Sequence, residues 1–62
     1  MYLIKKKIIT GEYALAGYCN SFKDALSIAD KVFENGFGDI IIERYKSGGT
    51  IKVYVNGRRK IK

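Results

Sequence analysis

The chain has 62 residues, 47% of them hydrophobic and 29% charged, with a formal net charge of +6, no proline, no histidine and one cysteine. That length makes one domain, which buries only about 60% of the surface its unfolded chain exposes. The missing histidine excludes a Cys/His metal site and the lone Cys19 excludes an internal disulfide, so self-association is the support left to a small core and a homodimer is expected.

Residues 2–10 read as a strand that fits a pleated surface and is interrupted by Lys5, Lys6 and Lys7. Period two sets Tyr2, Ile4, Lys6 and Ile8 against Leu3, Lys5, Lys7 and Ile9, and neither set is purely apolar. Lysines inserted in this way suggest an edge strand. Thr10, Gly11 and Glu12 link it to a second run, 13–19, closing a first hairpin. Its small residues, Ala14, Ala16 and Gly17, would let another element or chain approach closely.

Residues 21–35 read as the single amphipathic helix. Phe22, Ala25, Leu26, Ala29, Val32 and Phe33 recur at the spacing of one helical face, and Lys23, Asp24, Ser27, Asp30, Lys31 and Glu34 fall on the other. Ser21 followed by Asp24 predicts a capped start, Asn35-Gly36 a stop, and Phe37 an apolar contact back onto the last turn. Two further strands follow, at 40–46 and 50–55, joined through Ser47-Gly48-Gly49 as a second hairpin. In them Ile40 and Ile42, then Ile51, Val53 and Val55, are expected inward, with Ile41, Glu43, Tyr45, Lys52 and Tyr54 outward. Asn56-Gly57 is a tight-turn dipeptide, but a regular return would put Arg58, Lys60 and Lys62 on the core side unless a bulge shifts the phase. The basic segment 58–62 is therefore a tail or an edge extension.

This order predicts an α+β domain, β-β-α-β-β, in which an antiparallel sheet of two hairpins is covered on one face by a single helix. The pattern leaves open whether the hairpins lie side by side or interleave. The opposite face would carry Tyr18, Ile41, Glu43, Tyr45, Lys52 and Tyr54, with either Lys5 and Lys7 or Lys6.

No stretch approaches a membrane span, and the lysines of the first segment lie within its apolar run and not ahead of it as in a signal peptide. A protein that starts at Met1 and resides in a reducing cytoplasm is expected. Residues 46–62 hold six basic side chains and no acidic one, whereas the helix sums to about minus one. That asymmetry suits nucleic acid and an acidic protein surface equally.

Catalysis is not expected. Histidine is absent, the six carboxylates are scattered among lysines, and Cys19 has no base to activate it and reads as a half-buried packing residue. The glycines match neither a phosphate loop nor a dinucleotide fingerprint, so no cofactor is expected. Two binding readings remain. In one, Tyr45, Lys52 and Tyr54 stack bases and hold phosphates while Arg58, Arg59 and Lys60 extend the backbone contact. In the other, Tyr18, Ile41, Tyr45 and Tyr54 form a protein interface inside a basic rim. The second is preferred, the first being the alternative.

Across its whole length, with the MYLIKKKII opening, the SFKDALSIADKVFENG helix, the GFGDIIIERY segment and the NGRRKIK end, the chain resembles the compact single-domain proteins encoded by bacteriophages of Gram-positive hosts. That resemblance implies a stoichiometric inhibitor acting in the host cytoplasm. Its target would be a host defence protein, including one that handles nucleic acid.

Overall fold

The computed structural model describes residues 1–33 and 38–61. It is an α+β domain: β1 (Tyr2–Lys7), β2 (Tyr13–Cys19), α1 (Phe22–Val32), β3 (Ile40–Arg44), β4 (Thr50–Val55) and β5 (Arg58–Arg59). The strands form one antiparallel sheet in the order β2-β1-β3-β4-β5, so the two hairpins lie side by side and join through β1 and β3.

β1 is thus an inner strand and not the edge strand its lysines suggested. Those lysines are accommodated by facing different ways. Tyr2, Ile4 and Lys6 point to the helix, where the Lys6 ammonium donates to the Val32 carbonyl at 3.3 Å, while Lys5 reaches Glu43 at 2.6 Å on the far face. A cation on a C-terminal helical carbonyl satisfies an acceptor that has no partner within the helix and suits the local dipole. β1 also ends at Lys7, short of residue 10, and the chain reverses over 8–11, closed by a bond from the Ile8 N–H to the Glu12 carbonyl.

α1 begins as expected, with Ser21 extended and its hydroxyl accepting from the Asp24 N–H at 3.1 Å. It ends sooner, because Phe33 is already extended while its N–H still bonds the Ala29 carbonyl. The expected stop at Asn35-Gly36 and the Phe37 contact lie outside the described residues.

The core sits between α1 and the inner strands. Ile4, Ile40, Ile42 and Val53 are fully buried against Ala25 and Ala29 of the helix. Each such side chain contributes about 1.5–3 kcal/mol of transfer free energy, which is why inner strands of a small sheet hold its branched residues. The helix lies close over β2 because Gly17 has no side chain; a Cβ there would be 3.0 Å from Ile28 Cγ2. Ile28, absent from the predicted apolar face, packs against the core through this gap.

Two bulges reset the alternation. On β2 the register passes from Ile4↔Gly17 to Lys5↔Leu15, leaving Ala16 as the extra residue. On β4 it passes from Ile41↔Lys52 to Ile40↔Tyr54, leaving Val53 as the extra one. Both Val53 and Tyr54 then face α1, and the strand beyond runs in opposite phase. The Asn56-Gly57 turn, with φ of 53° and 79°, returns the chain with Val55 opposite Arg58 and Tyr54 opposite Arg59. Lys60 N–H closes onto the bulged Val53 carbonyl at 2.7 Å. Residues 58–59 therefore make a short fifth strand, and the phase shift that such a strand requires comes from the bulge.

Candidate protein-binding face

The bulge divides the eight residues that the sequence singles out. Tyr54 is a core residue. Its ring stacks on Phe33, with centroids 3.9 Å apart and planes 11° from parallel, and its hydroxyl donates to Asp30 Oδ1 at 2.7 Å. The expectation that Tyr54 faces outward is overturned, because an extra residue in β4 turns it to the helix. Arg59, its partner on β5, follows it to that side and donates from Nε to Asp30 Oδ1 at 3.0 Å. The Tyr54 hydrogen bond, with help from the Arg59 charge, holds the Asp30 carboxyl below its ordinary value against the opposing effect of burial. The same hydrogen bond, with burial, pushes the Tyr54 phenol up.

Tyr45 is not in a strand. β3 stops at Arg44, and Tyr45 starts the connection, exposed, its N–H bonded to the Met1 carbonyl at 2.9 Å and the Lys46 ammonium 6.0 Å from its ring. Lys46 takes a positive φ of 74°, so this connection reverses one residue before Ser47. The platform of Tyr45, Lys52 and Tyr54 is therefore not assembled: Lys52 lies on the open face, Tyr54 is turned to the helix, and Tyr45 stands in the connection beyond β3. Lys60 follows β5 and is exposed at the far edge.

Tyr18, Ile41, Lys52 and Arg58 do share the face away from α1. Strand register builds it in rows. Tyr18, Leu3, Glu43 and Thr50 make one row, and Leu15, Lys5, Ile41 and Lys52 the next. Tyr13 and Lys7 lie beyond them near one end, with Val55 and Arg58 across the sheet. Ile41 is 7% exposed although no helix covers it, because the stems of Lys5 and Lys52 flank it on both sides. Leu15 and Tyr18, by contrast, are 59% and 66% exposed.

The result is an apolar set, Tyr18, Leu3, Leu15 and Ile41, crossed by the Lys5 side chain and bordered by Lys7, Lys52 and Arg58. The Glu43 carboxylate faces the same way and is paired with Lys5, and Asp39, just before β3, accepts from the Asn56 N–H at 3.1 Å. Sequence alternation found Tyr18, Ile41 and Lys52. It missed half-buried Leu3 on β1 and exposed Leu15 and Tyr13, whose exposure follows from their being on the edge strand β2. A depression of about 210 Å³ lies at this end of the sheet, lined by Leu3, Glu43, Arg44, Tyr45, Lys46 and the Gly48-Gly49 turn. The half-buried Cys19 donates to the Ser21 carbonyl at 3.2 Å, a structural bond at the start of the helix.

No protein-family model matches the chain, and no curated protein and no solved structure matches it. No helix among the described residues is long and apolar enough to cross a membrane.

Proposed function

We propose that this chain is a non-catalytic, homodimeric protein-binding module that occupies and blocks an acidic surface of a partner protein with its open sheet face. The observation that carries the reading is the composition of that face: exposed Leu15 and Tyr18 with Leu3 and Ile41 at its centre, and cations around them, with the Glu43 carboxylate among them paired to Lys5. An apolar centre with a charged rim is how protein interfaces are built, the centre supplying affinity and the rim supplying orientation and partner choice. The inward turn of Tyr54 removes one of the two stacking tyrosines that the nucleic-acid reading used, which favours a protein partner. The phage-encoded inhibitors that the chain resembles act in this stoichiometric manner, and a host defence protein in the cytoplasm is the target this reading assigns.

The test is capture from a nuclease-treated bacterial lysate with the full chain as bait. One acidic protein in stoichiometric amount is expected, and its loss with Lys52→Glu. Recovery of no such protein would reject the reading. Fluorescence anisotropy with single- and double-stranded oligonucleotides should give binding no tighter than about 100 μM at physiological salt, the level of non-specific attraction. Tighter binding there would replace the protein partner with nucleic acid.

A further inference from the structure

We infer that the β2 edge is the surface at which two copies of this chain join, by antiparallel strand addition. The inference rests on the homodimer of the reading above and assigns its interface.

The two edges of the sheet differ. β5 has two residues, both arginines, and ends the sheet with charge. β2 has seven residues, YALAGYC, none of them charged and none proline. Edge strands are ordinarily guarded by shortness, charge or proline, and β2 has only the bulge at Ala16. The helix covers β2 at Gly17 but leaves Ala14 and Ala16 exposed.

The backbone of β2 is directed outward at alternate residues. The Lys7 N–H bonds the Asp39 carbonyl on the β3 side at 2.8 Å, so the neighbouring Lys6 pairs with Ala14 on the β2 side. Ala14 thereby spends its N–H and carbonyl on β1, and those of Tyr13 and Leu15 point away from the sheet. An unpaired row of this kind is a template for another strand.

Charge selects a second copy as the occupant. At +6 the chain repels itself wherever its lysines and arginines lie, and among the described residues those lie on the open face, on and beside the helix, at the β3–β4 connection and at the β5 edge, with none on β2. The uncharged β2 is the line along which two copies approach without bringing like charges together. It carries nothing to attract an acidic partner. Joining about a two-fold axis normal to the sheet makes a ten-stranded sheet from two five-stranded ones and keeps both open faces on one side. The Leu15 and Tyr18 side chains of both copies then meet at its centre, with Lys52 and Arg58 towards the ends. The face proposed to dock a partner is doubled by the same event.

The test is amide hydrogen exchange with light scattering on the full chain, from about 10 μM to about 1 mM, where mass action drives a weak dimer together. The mass should double, and the Tyr13 and Leu15 amides should exchange at least tenfold more slowly in the dimer. Leu15→Pro removes an outward donor and no ladder bond, and should be monomeric. Leu15→Ala removes the side chain but keeps the donor, and should still dimerise. Tyr13→Pro serves as a second blocking variant, with circular dichroism to verify that each variant is folded. A dimer whose β2 amides remain unprotected, or that survives both proline variants, overturns this interface and leaves the homodimer standing. A monomer at every concentration overturns both, while partner capture is decided by its own experiment.

Discussion

The hydroxyl of Tyr54 donates a 2.7 Å hydrogen bond to Asp30, tying the inner side of β4 to the exposed flank of the helix, and Arg59 closes on the same carboxylate from β5 at 3.0 Å. One carboxylate thus holds three elements together at the C-terminal end of the domain. Tyr54→Phe keeps the stacking on Phe33 and loses only the bond. The expected cost is about 1–2 kcal/mol, since the acceptor is ionised but partly solvated and Asp30 keeps Arg59. In a domain of this size that lowers the melting temperature by roughly 4–8 °C per kcal/mol. Tyr54→Ala also empties the core and should cost about 3–5 kcal/mol, enough to unfold much of a marginal domain. Equal melting temperatures for wild type and Tyr54→Phe would show that the bond contributes nothing.

The same pair sets a pH dependence with a definite sign. The folded Asp30 carboxyl titrates below its ordinary value, so its contribution is fully present above the unfolded value, about 3.9, and is lost as pH falls through the depressed one. The folded Tyr54 phenol titrates above its ordinary value, so its contribution is present below about pH 10 and is lost as pH rises through the raised one. Asp30→Asn should therefore melt below wild type at neutral pH and converge with it under acid conditions. Parallel melting curves for the two proteins from pH 7 down to about 2 would contradict this assignment.

How far this cluster was legible in the sequence depends on one residue. Alternation along 50–55 makes Tyr54 an outward neighbour of Lys52, and nothing in TIKVYV signals that Val53 is an extra residue against β3. With the bulge, the Asn56-Gly57 turn returns Arg58 opposite Val55 and Arg59 opposite Tyr54, a pairing that the strand pattern alone does not express. The helix, with its capped start and apolar face, was readable because its period is local. The inner place of β1 was not, because Lys5 and Lys7 face the open side while Lys6 finds a helical carbonyl that only the fold provides. Leu15 was readable as a strand residue, but its exposure depends on strand order, which short-range pattern does not encode.

At Gly17 the Ile28 side chain of the helix packs close against the sheet backbone. Gly17→Ala places a methyl 3.0 Å from Ile28 Cγ2, and the helix must retreat or Ile28 must leave its rotamer. Overpacking of this kind costs about 1–3 kcal/mol. Ile28→Leu, which lacks the branch at Cβ, should recover part of that loss in the double variant, giving a coupling of opposite sign to the single effects. Strict additivity in thermal melts would show that the two side chains do not meet.

The open face offers the sharpest separation of stability from binding. Tyr18 is exposed on the outermost strand and Lys52 is exposed on β4, so neither side chain holds the core. Tyr18→Ala with Lys52→Glu should leave the melting temperature within a few degrees of wild type, as surface substitutions ordinarily cost within about 0.5 kcal/mol. Partner capture should nevertheless fall at least tenfold, because one change removes an apolar anchor and the other reverses a rim charge facing an acidic surface. Lys31→Glu reverses a charge on the far side of the molecule, on the exposed helix, and should leave capture unchanged. If Lys31→Glu weakened capture while the double variant bound normally, the binding surface would be the helix, and the cationic rim would serve only to keep the open sheet face in water.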